Sequence, residues 1–346
     1  MKILYAIQGT GNGHLSRAED VIPVLKEHGD LDLFVSGAQA DIRLSHPVKY
    51  TSKGLSFYFG KKGGVDLIKT FKKNSSRDIY KEIKKFPVEK YDLVINDFEP
   101  IAAWACRKRG VPCVGLSHQS ALLSEKVPRP NKIDPVGEWL IHNYAPVSKY
   151  VGFHFERYDK YIYTPVIRAE VRTAHISTKD HYTVYLPAYD DRKLVPLLGR
   201  LSSVRWHVFS KHTRKPYHVG KISVYPVNKE EFAASITSAT GVLCGAGFET
   251  PAEVLYMGKK LLVVPMKAQL EQHYNAMALK KLGVPVLKKF KKKHLEKVTQ
   301  WIESSNPVCV QYPDVMAEAV AHALRLGKLG IEYKERMATS KTEDEL

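Results

Sequence analysis

A histidine closes a glycine-rich loop near the start of this 346-residue chain. Residues 1–7 are apolar like a buried strand, the loop 8–14 carries three glycines, and 15–27 has helical periodicity. An imidazole titrates near neutrality and can take a proton from an attacking hydroxyl, so His14 is a candidate general base. A capping or packing role is the alternative for a lone histidine at a helix start. The loop is no dinucleotide fingerprint, because the third glycine would fall at His14, and no Gly-Lys-Ser/Thr of a P-loop follows.

A second glycine turn leads into a helix that carries a carboxylate. The turn follows the apolar strand 240–244, and Thr250 is interpreted as the helix N-cap, with Glu253 three residues later. Glycines let a ligand approach the main chain, and the N–H groups of a helix N-terminus suit a diphosphate. Glu253 can accept both hydroxyls of a ribose; a capping box that only starts the helix is the alternative. The turn consists of Gly245, Ala246, Gly247 and Phe248.

Hydrogen-bonding side chains are concentrated after the next predicted strand, 260–265. Ligands of open α/β sheets bind beyond the carboxyl ends of the strands, which is where these side chains fall. We expect them to belong to the same site, with a solvated helix start as the alternative. The group comprises Gln269, Glu271, Gln272, His273 and Asn275.

The loop 11–15 and the segments 247–253 and 271–276 resemble the GT-B glycosyltransferases. The resemblance is to the peptidoglycan N-acetylglucosaminyltransferase that makes lipid II and to the UDP-glucuronosyl and natural-product glucosyltransferases. It extends over most of the chain in organisation, whereas close motif matches cover a small part. It implies an α/β fold of the GT-B type, in which two Rossmann-like domains with parallel sheets face each other across a cleft.

The resemblance implies roles for the donor side. Glu253 falls on the ribose-binding glutamate of the family, and Glu271 and Gln272 fall on the pair that holds the sugar hydroxyls. Relatives that bind UDP usually carry a basic residue where Gly245 stands, so backbone amides or a Lys or Arg from elsewhere must hold the phosphates. Retaining members use a pair of glutamates, and the partner of Glu253 would be Gly245. The resemblance therefore favours inversion.

The resemblance also implies roles for the acceptor side. His14 falls on the catalytic base of the glucosyltransferases, in which an aspartate orients the histidine. The segment 91–97 is strand-like and would bring Asp97 to the same edge of the sheet. A cap of the helix predicted at 101–106 is the alternative for Asp97. The acceptor would be held by Gly11, Asn12, Gly13, His118 and Gln119.

Strand and helix patterns alternate in both halves of the chain and predict parallel sheets with helices on both faces. We place the first domain at 1–166, a linker at 167–180, the second domain at 181–330 and a polar tail at 331–346. The helix at 316–326 is expected to pack back on the first domain. The polar residues from 338 onward are expected to be disordered.

The net charge of +17 arises from 53 basic and 36 acidic residues, and many lysines are clustered. The cluster within 61–85 alternates with aromatic and aliphatic residues, and such a segment can lie on an anionic membrane surface. A solvated face of a basic protein is the alternative. Nucleic acid is not the expected partner, because no nucleic-acid-binding motif accompanies the charge. The clustered lysines are Lys61, Lys62, Lys69, Lys72, Lys73, Lys81, Lys84 and Lys85, followed later by Lys288, Lys289, Lys291, Lys292 and Lys293.

Cysteine spacing and hydropathy bear on the compartment. The four cysteines show no C-x-x-C spacing and indicate reduced residues of a cytosolic protein. Residues 1–7 are too short for a signal peptide, and no apolar run approaches membrane-spanning length. A metal is not expected, because the acidic pair Asp30 and Asp32 precedes its strand at the wrong end of the sheet. We expect a cytoplasmic protein, with peripheral binding to the inner face of the cytoplasmic membrane as the finer hypothesis.

These expectations combine into one function. The chain is predicted to be an inverting, metal-independent glycosyltransferase without a cofactor. It would move a sugar from a nucleotide-diphosphate donor, most readily a UDP-sugar, to a hydroxyl of a cell-envelope glycan or lipid-linked acceptor. The alternatives are a sugar-nucleotide 2-epimerase of the same fold, a non-catalytic nucleotide-sugar binder and a nucleic-acid binder.

Overall fold

The chain folds into two β-sheets flanked by helices. The computed structural model describes residues 1–10, 12–37, 44–54, 76–131, 134–267, 269–305 and 307–343. Within these ranges the sheets have seven and six strands. All paired strands of the first sheet run parallel, and in the second only the pair at one edge is antiparallel. The α/β fold predicted from the alternating pattern is confirmed.

The first sheet has a reversal of chain order beside its first strand. The strand order is β3-β2-β1-β4-β5-β6-β7, so the chain reverses between β1 and β4. Such a reversal opens a crevice at the carboxyl ends of the two strands, where α/β proteins bind ligands. The strands are β1 (Lys2–Gln8), β2 (Asp30–Ser36), β3 (Tyr50–Ser52), β4 (Leu93–Asp97), β5 (Cys113–Ser117), β6 (Lys149–Phe153) and β7 (Ile162–Tyr163).

The second sheet repeats this arrangement. Its order is β10-β11-β9-β8-β12-β13, with the reversal between β8 and β12. Because β12 leads directly into the glycine turn 245–248, that turn lies at the reversal. The strands are β8 (Tyr182–Tyr185), β9 (Trp206–Ser210), β10 (Tyr217–Val219), β11 (Ile222–Pro226), β12 (Gly241–Cys244) and β13 (Lys260–Val263).

Twelve α-helices and two 3₁₀ turns connect the strands in the described part of the chain. None of these helices is both long and apolar enough to cross a membrane. The 3₁₀ turns are Val88–Lys90 and Lys292–His294. The helices are α1 (Asn12–Lys26), α2 (Ser76–Lys85), α3 (Pro100–Arg109), α4 (His118–Ala121), α5 (Pro135–Asn143), α6 (Ala169–Arg172), α7 (Asp191–Leu198), α8 (Lys229–Ser238), α9 (Glu249–Tyr256), α10 (Leu270–Lys281), α11 (Leu295–Glu303) and α12 (Met316–Glu343).

The last helix returns to the first sheet. α12 packs against α1 and against β4, β5 and β6, and its Gly327 lies so close to Leu93 that an added Cβ would be 2.5 Å from the Leu93 methyl groups. The predicted packing of this helix on the first domain is confirmed. The helix extends to Glu343, beyond the 316–326 expected from the sequence, and the disorder expected from residue 338 stays a prediction. The domain boundaries given above stay a prediction.

Two smaller expectations can be compared with the structure. All four cysteines have free thiols, with Cys106, Cys113 and Cys244 buried and Cys309 exposed. The acidic pair Asp30 and Asp32 lies within β2 and not before it, still at the amino end of the strand. The Asp32 carboxylate accepts hydrogen bonds from Lys49 and Tyr91. These partners stabilise its negative charge, so no bound ligand is needed to account for it.

Candidate functional site

His14 and Asp97 lie side by side at the carboxyl edge of the first sheet. His14 stands in the first turn of α1, and its Nδ1 is 2.8 Å from Oδ1 of Asp97, the last residue of β4. Asp97 is fully buried, whereas 12% of the His14 side chain is exposed. When Nδ1 donates to the carboxylate, Nε2 is left with a lone pair that can accept a proton.

The two residues that follow Asp97 form the turn from β4 into α3. The cap alternative for Asp97 is wrong, because Glu99 is the N-cap of α3 and accepts hydrogen bonds from the N–H groups of Ile101 and Ala102. Between them Phe98 has a φ of 57°, a conformation that bulky residues rarely adopt. Backbone strain of this kind is concentrated at functional sites.

Arg17 completes the surroundings of Asp97. Its NH2 donates to both oxygens of Asp97, at 2.7 and 2.8 Å, and its side chain is only 5% exposed. Burial alone would raise the pKa of Asp97, but Arg17 and His14 hold it below its ordinary value. Burial likewise disfavours the charged guanidinium, yet Asp97 and Glu249 raise the pKa of Arg17. The carboxylate is therefore ionised and fixed in orientation.

A cleft with a volume of about 650 Å³ opens in front of His14. Both halves of the chain line it, His14 from the first half and Glu249, Glu271 and Gln272 from the second. Part of the first-half wall is apolar. This apolar wall consists of Phe98, Leu122, Pro130, Val136, Leu140 and Ile141.

Glu271 contacts the predicted acceptor side across the cleft. Its carboxylate lies 2.8 Å from Nε2 of His118 and accepts a hydrogen bond of 2.9 Å from Nε2 of Gln119. Burial would raise the pKa of Glu271, but these two neighbours lower it to about 2. The same Gln119 nitrogen lies 3.4 Å from Nε2 of His14. Gln119 therefore connects the candidate base with the carboxylate predicted to hold the sugar.

Glu253 does not line the cleft in this arrangement. It is 2% exposed, and its two oxygens accept hydrogen bonds of 2.5 and 2.8 Å from Arg168, a residue of the predicted linker. Burial raises the pKa of Glu253, and Arg168 opposes the shift without cancelling it. Both oxygens predicted to accept the ribose hydroxyls are thus occupied by a guanidinium.

The start of α9 differs from the prediction. The helix begins at Glu249 with Phe248 as N-cap and without a side-chain cap, so the capping box of Thr250 and Glu253 is wrong. Thr250 lies inside the first turn and cannot cap it. Phe248 is buried instead, with its ring stacked 4.3 Å from that of His118.

The remaining residues of the predicted donor side surround this turn. Apart from its chain neighbours, no described residue lies within 4 Å of a Cβ added at Gly247, and Gln272 is the one described residue that lies that close at Gly245. Ala246 is buried, and its carbonyl accepts a hydrogen bond of 3.1 Å from Asn275. The side chain of Gln272 accepts a hydrogen bond from the N–H of Met266, which folds the loop after β13. The turn is therefore open toward a ligand.

The predicted acceptor-side loop and the lysine cluster are described only in part. Gly11 lies outside the described residues, and Asn12 is the first residue of α1. Gly13 lines the cleft, and an added Cβ there would be 2.9–3.0 Å from the Glu249 carboxylate. The lysines from 61 to 73 also lie outside the described residues, whereas Lys81, Lys84 and Lys85 are exposed on α2.

Three charged residues of this region were not found from the sequence. Arg17 follows His14 by three positions, a spacing that places both on one face of a helix and was a usable signal. Glu249 was included only as part of a motif, and Arg168 gave no local signal. Across the described residues, no three His, Cys, Asp or Glu side chains are grouped so that they could hold a metal ion.

The two largely parallel sheets, with a cleft beyond the carboxyl ends of their strands, are the arrangement of a GT-B glycosyltransferase. A family model described as glycosyl transferase family 1 matches residues 1–304. The chain therefore belongs to this family and is a glycosyltransferase.

Solved structures share the fold at low sequence identity. MurG of Acinetobacter baumannii is 16% identical with a TM-score of 0.54, over 94% of this chain and 99% of that chain. UGT89C1 of Arabidopsis thaliana, complexed with UDP, is 12% identical with a TM-score of 0.57, over 96% and 98%. SnogD of Streptomyces nogalater is 13% identical with a TM-score of 0.51, over 98% and 99%. A comparison with curated protein sequences gave no match.

Proposed function

We propose that the protein is an inverting glycosyltransferase that uses His14 as its base and needs no metal ion. The observation that carries the proposal is the His14–Asp97 contact of 2.8 Å at the wall of the cleft, opposite Glu271 and Gln272. An acceptor hydroxyl bound on the first-half side attacks the anomeric carbon of the donor. Its proton passes to Nε2 of His14 as the new C–O bond forms, and Asp97 stabilises the imidazolium.

The leaving group departs toward the second half. The bond between the anomeric carbon and the diphosphate oxygen breaks, and its electron pair stays on that oxygen. The N-terminus of α9 faces this charge in the proposed complex and stabilises it. A single displacement inverts the anomeric carbon, and the glutamate pair of retaining relatives is missing here because Gly245 stands at the second position.

The donor is proposed to be a UDP-sugar. Among proteins of the same fold, UGT89C1 is complexed with UDP. In the proposed complex Glu253 binds the ribose, and Glu271 and Gln272 bind the sugar. Because Arg168 and the pair His118 and Gln119 hold the two carboxylates in this structure, donor binding has to displace those contacts.

The acceptor is proposed to be a cell-envelope glycan or a lipid-linked acceptor. The apolar wall beside His14 supports an acceptor with an apolar portion, because aliphatic side chains there bind nonpolar surface. Lys81, Lys84 and Lys85 are exposed on α2 and support binding to the inner face of the cytoplasmic membrane. Co-sedimentation with anionic but not with neutral vesicles is the expected result, and equal sedimentation with both would contradict membrane binding.

A thermal-shift panel of UDP-, GDP-, TDP- and CMP-sugars tests the donor site. We expect selective stabilisation of the wild type by one nucleotide class and its loss in Glu253→Gln. The matched control is Asp180→Asn, which removes one carboxylate that is 79% exposed and located before β8. Stabilisation that persists in Glu253→Gln would exclude the ribose role, and no stabilisation by any donor would contradict the proposed function.

A further inference from the structure

The Glu249 carboxylate lies where two helices begin. Glu249 is the first residue of α9, and its carboxylate packs against Gly13 in the first turn of α1. NH1 of Arg17 donates a hydrogen bond of 3.1 Å to Oε1 of Glu249. One negative group is therefore held between two helix N-termini and a guanidinium, all of which attract anions.

The surroundings of this carboxylate have the chemistry of an anion site. The first turn of α9 has no side-chain cap, so its N–H groups need other acceptors. Arg17 is 5% exposed, and its Nε–H has no partner among the described residues. No described residue beyond its chain neighbours lies within 4 Å of a Cβ added at Gly247, in the turn before α9. The Arg17 guanidinium therefore binds Glu249 as a second anion besides Asp97 and still has an N–H group to donate.

We propose that the Glu249 carboxylate stands in for a phosphate of the donor, and that Arg17 is a catalytic residue that contacts the leaving diphosphate. The inference rests on the proposed function and deepens it by identifying the cation that the glycine turn lacks. NH2 of Arg17 keeps its contact with Asp97, while the phosphate replaces Glu249 at NH1. When the bond to the sugar breaks, the diphosphate gains a negative charge, and the guanidinium stabilises it.

This arrangement makes Glu249 a built-in competitor of the donor. A phosphate entering the site meets the like charge of Glu249, whose side chain is 35% exposed and can turn toward solvent. Removing that charge while keeping the shape must strengthen phosphate binding. A gain in affinity is informative, because damage to the fold weakens binding and cannot imitate it.

The test measures the dissociation constants of UDP, GDP and inorganic pyrophosphate by titration calorimetry. We expect Glu249→Gln to bind at least one nucleoside diphosphate and pyrophosphate about tenfold more tightly, as expected when one repulsive charge is removed. Uridine and guanosine, which lack phosphate, should bind both proteins alike. The matched control Asp180→Asn removes the same charge outside the cleft and should leave all constants unchanged.

Arg17→Lys supplies the opposite change. Lysine keeps the positive charge but cannot contact Asp97 and a phosphate with separate nitrogens, so we expect diphosphate binding to weaken about tenfold. Lys267 also lines the cleft and carries a positive charge, so Lys267→Met tests whether it, and not Arg17, binds the diphosphate.

The outcomes separate this inference from the proposed function. Unchanged affinity in Glu249→Gln, or weakening by Lys267→Met but not by Arg17→Lys, overturns the role of Arg17 and leaves the glycosyltransferase proposal standing. Failure of the wild type to bind any of the three probes contradicts the proposed donor site itself.

Discussion

The two walls of the cleft hold their carboxylates in different ways. Asp97, on the first wall, is bound by His14, Arg17 and Tyr5, all from its own half of the chain. On the second wall, Glu249 and Glu271 are bound by residues of the first half.

The pair of His14 and Asp97 is preorganised, whereas Glu249 and Glu271 have partners that a ligand could replace. The base and its aspartate need no domain movement to reach their geometry, because one sheet and one helix fix both. Among the described residues, the hydrogen bonds to the second-wall carboxylates come from partners across the cleft. In the proposed complex, the donor exchanges those partners for its own hydroxyl and phosphate groups. In the proposed function, the first wall is therefore preorganised for proton transfer, and the contacts that hold the second wall are the ones a donor would replace.

The largest effect is expected from removing His14 from the first wall. His14→Ala removes the base and should lower kcat/KM about 10²- to 10⁴-fold, while the donor-induced thermal shift persists because the second wall is intact. His28→Ala, at an exposed position after α1, is the matched control and should retain full activity. Activity within a fewfold of the wild type would show that another group takes the proton.

A smaller effect is expected from removing the cation bound to Glu253, a buried carboxylate of the second half that does not line the cleft. Arg168→Met leaves the buried Glu253 carboxylate without its cation and should lower the free energy of unfolding by about 3–5 kcal/mol, measured by urea denaturation at pH 7. Glu253→Gln in the same chain should restore part of the loss. Arg205→Met removes an exposed partner of Asp180 and should cost about 0–1 kcal/mol. Equal losses from the two arginine variants would show that Arg168 does not compensate a buried charge.

The smallest effect is expected from Glu99, which can be compared with Asp97 in the same half of the chain. Glu99 is fully buried like Asp97, but in the described part of the chain it has no cationic partner. Its hydrogen bonds come from Ser36, Ile101 and Ala102. Burial raises the pKa of Glu99 from 4.5 to about 7, although these donors oppose the shift. An acid with a raised pKa binds its proton more tightly in the folded state, so its contribution to stability is present below about pH 4.5 and is lost as the pH rises to 7.

Urea denaturation between pH 4.5 and 8 measures this contribution. In the wild type, the contribution of Glu99 to the free energy of unfolding should decrease by about 3 kcal/mol between pH 4.5 and pH 8. Glu99→Gln cannot titrate, so its unfolding free energy should change less with pH by that amount. Identical slopes in the two proteins would show that the carboxyl ionises at its ordinary pKa.

Much of this molecule follows from local sequence. The apolar runs that became β1, β4, β12 and β13 were predicted, as were the glycine loops after β1 and β12. The reversal of strand order then placed His14 near Asp97. The resemblance added the pairing of those two residues. Helix limits were less accurate: α9 begins at Glu249 and not at a Thr250 cap, and α12 extends beyond the 316–326 expected from the sequence.

The contacts of the charged residues were decided by tertiary structure. Arg17 meets Glu249 across 232 positions of sequence, and Arg168 meets Glu253 across 85. Periodicity and turn chemistry describe neighbours within one or two helical turns, so they determined the strands, the loops and the side chains that reach the edges of the sheets. Which cation meets which carboxylate depends on how the two sheets are placed, and burial then fixes those pairs because an unpaired charge in the interior is costly.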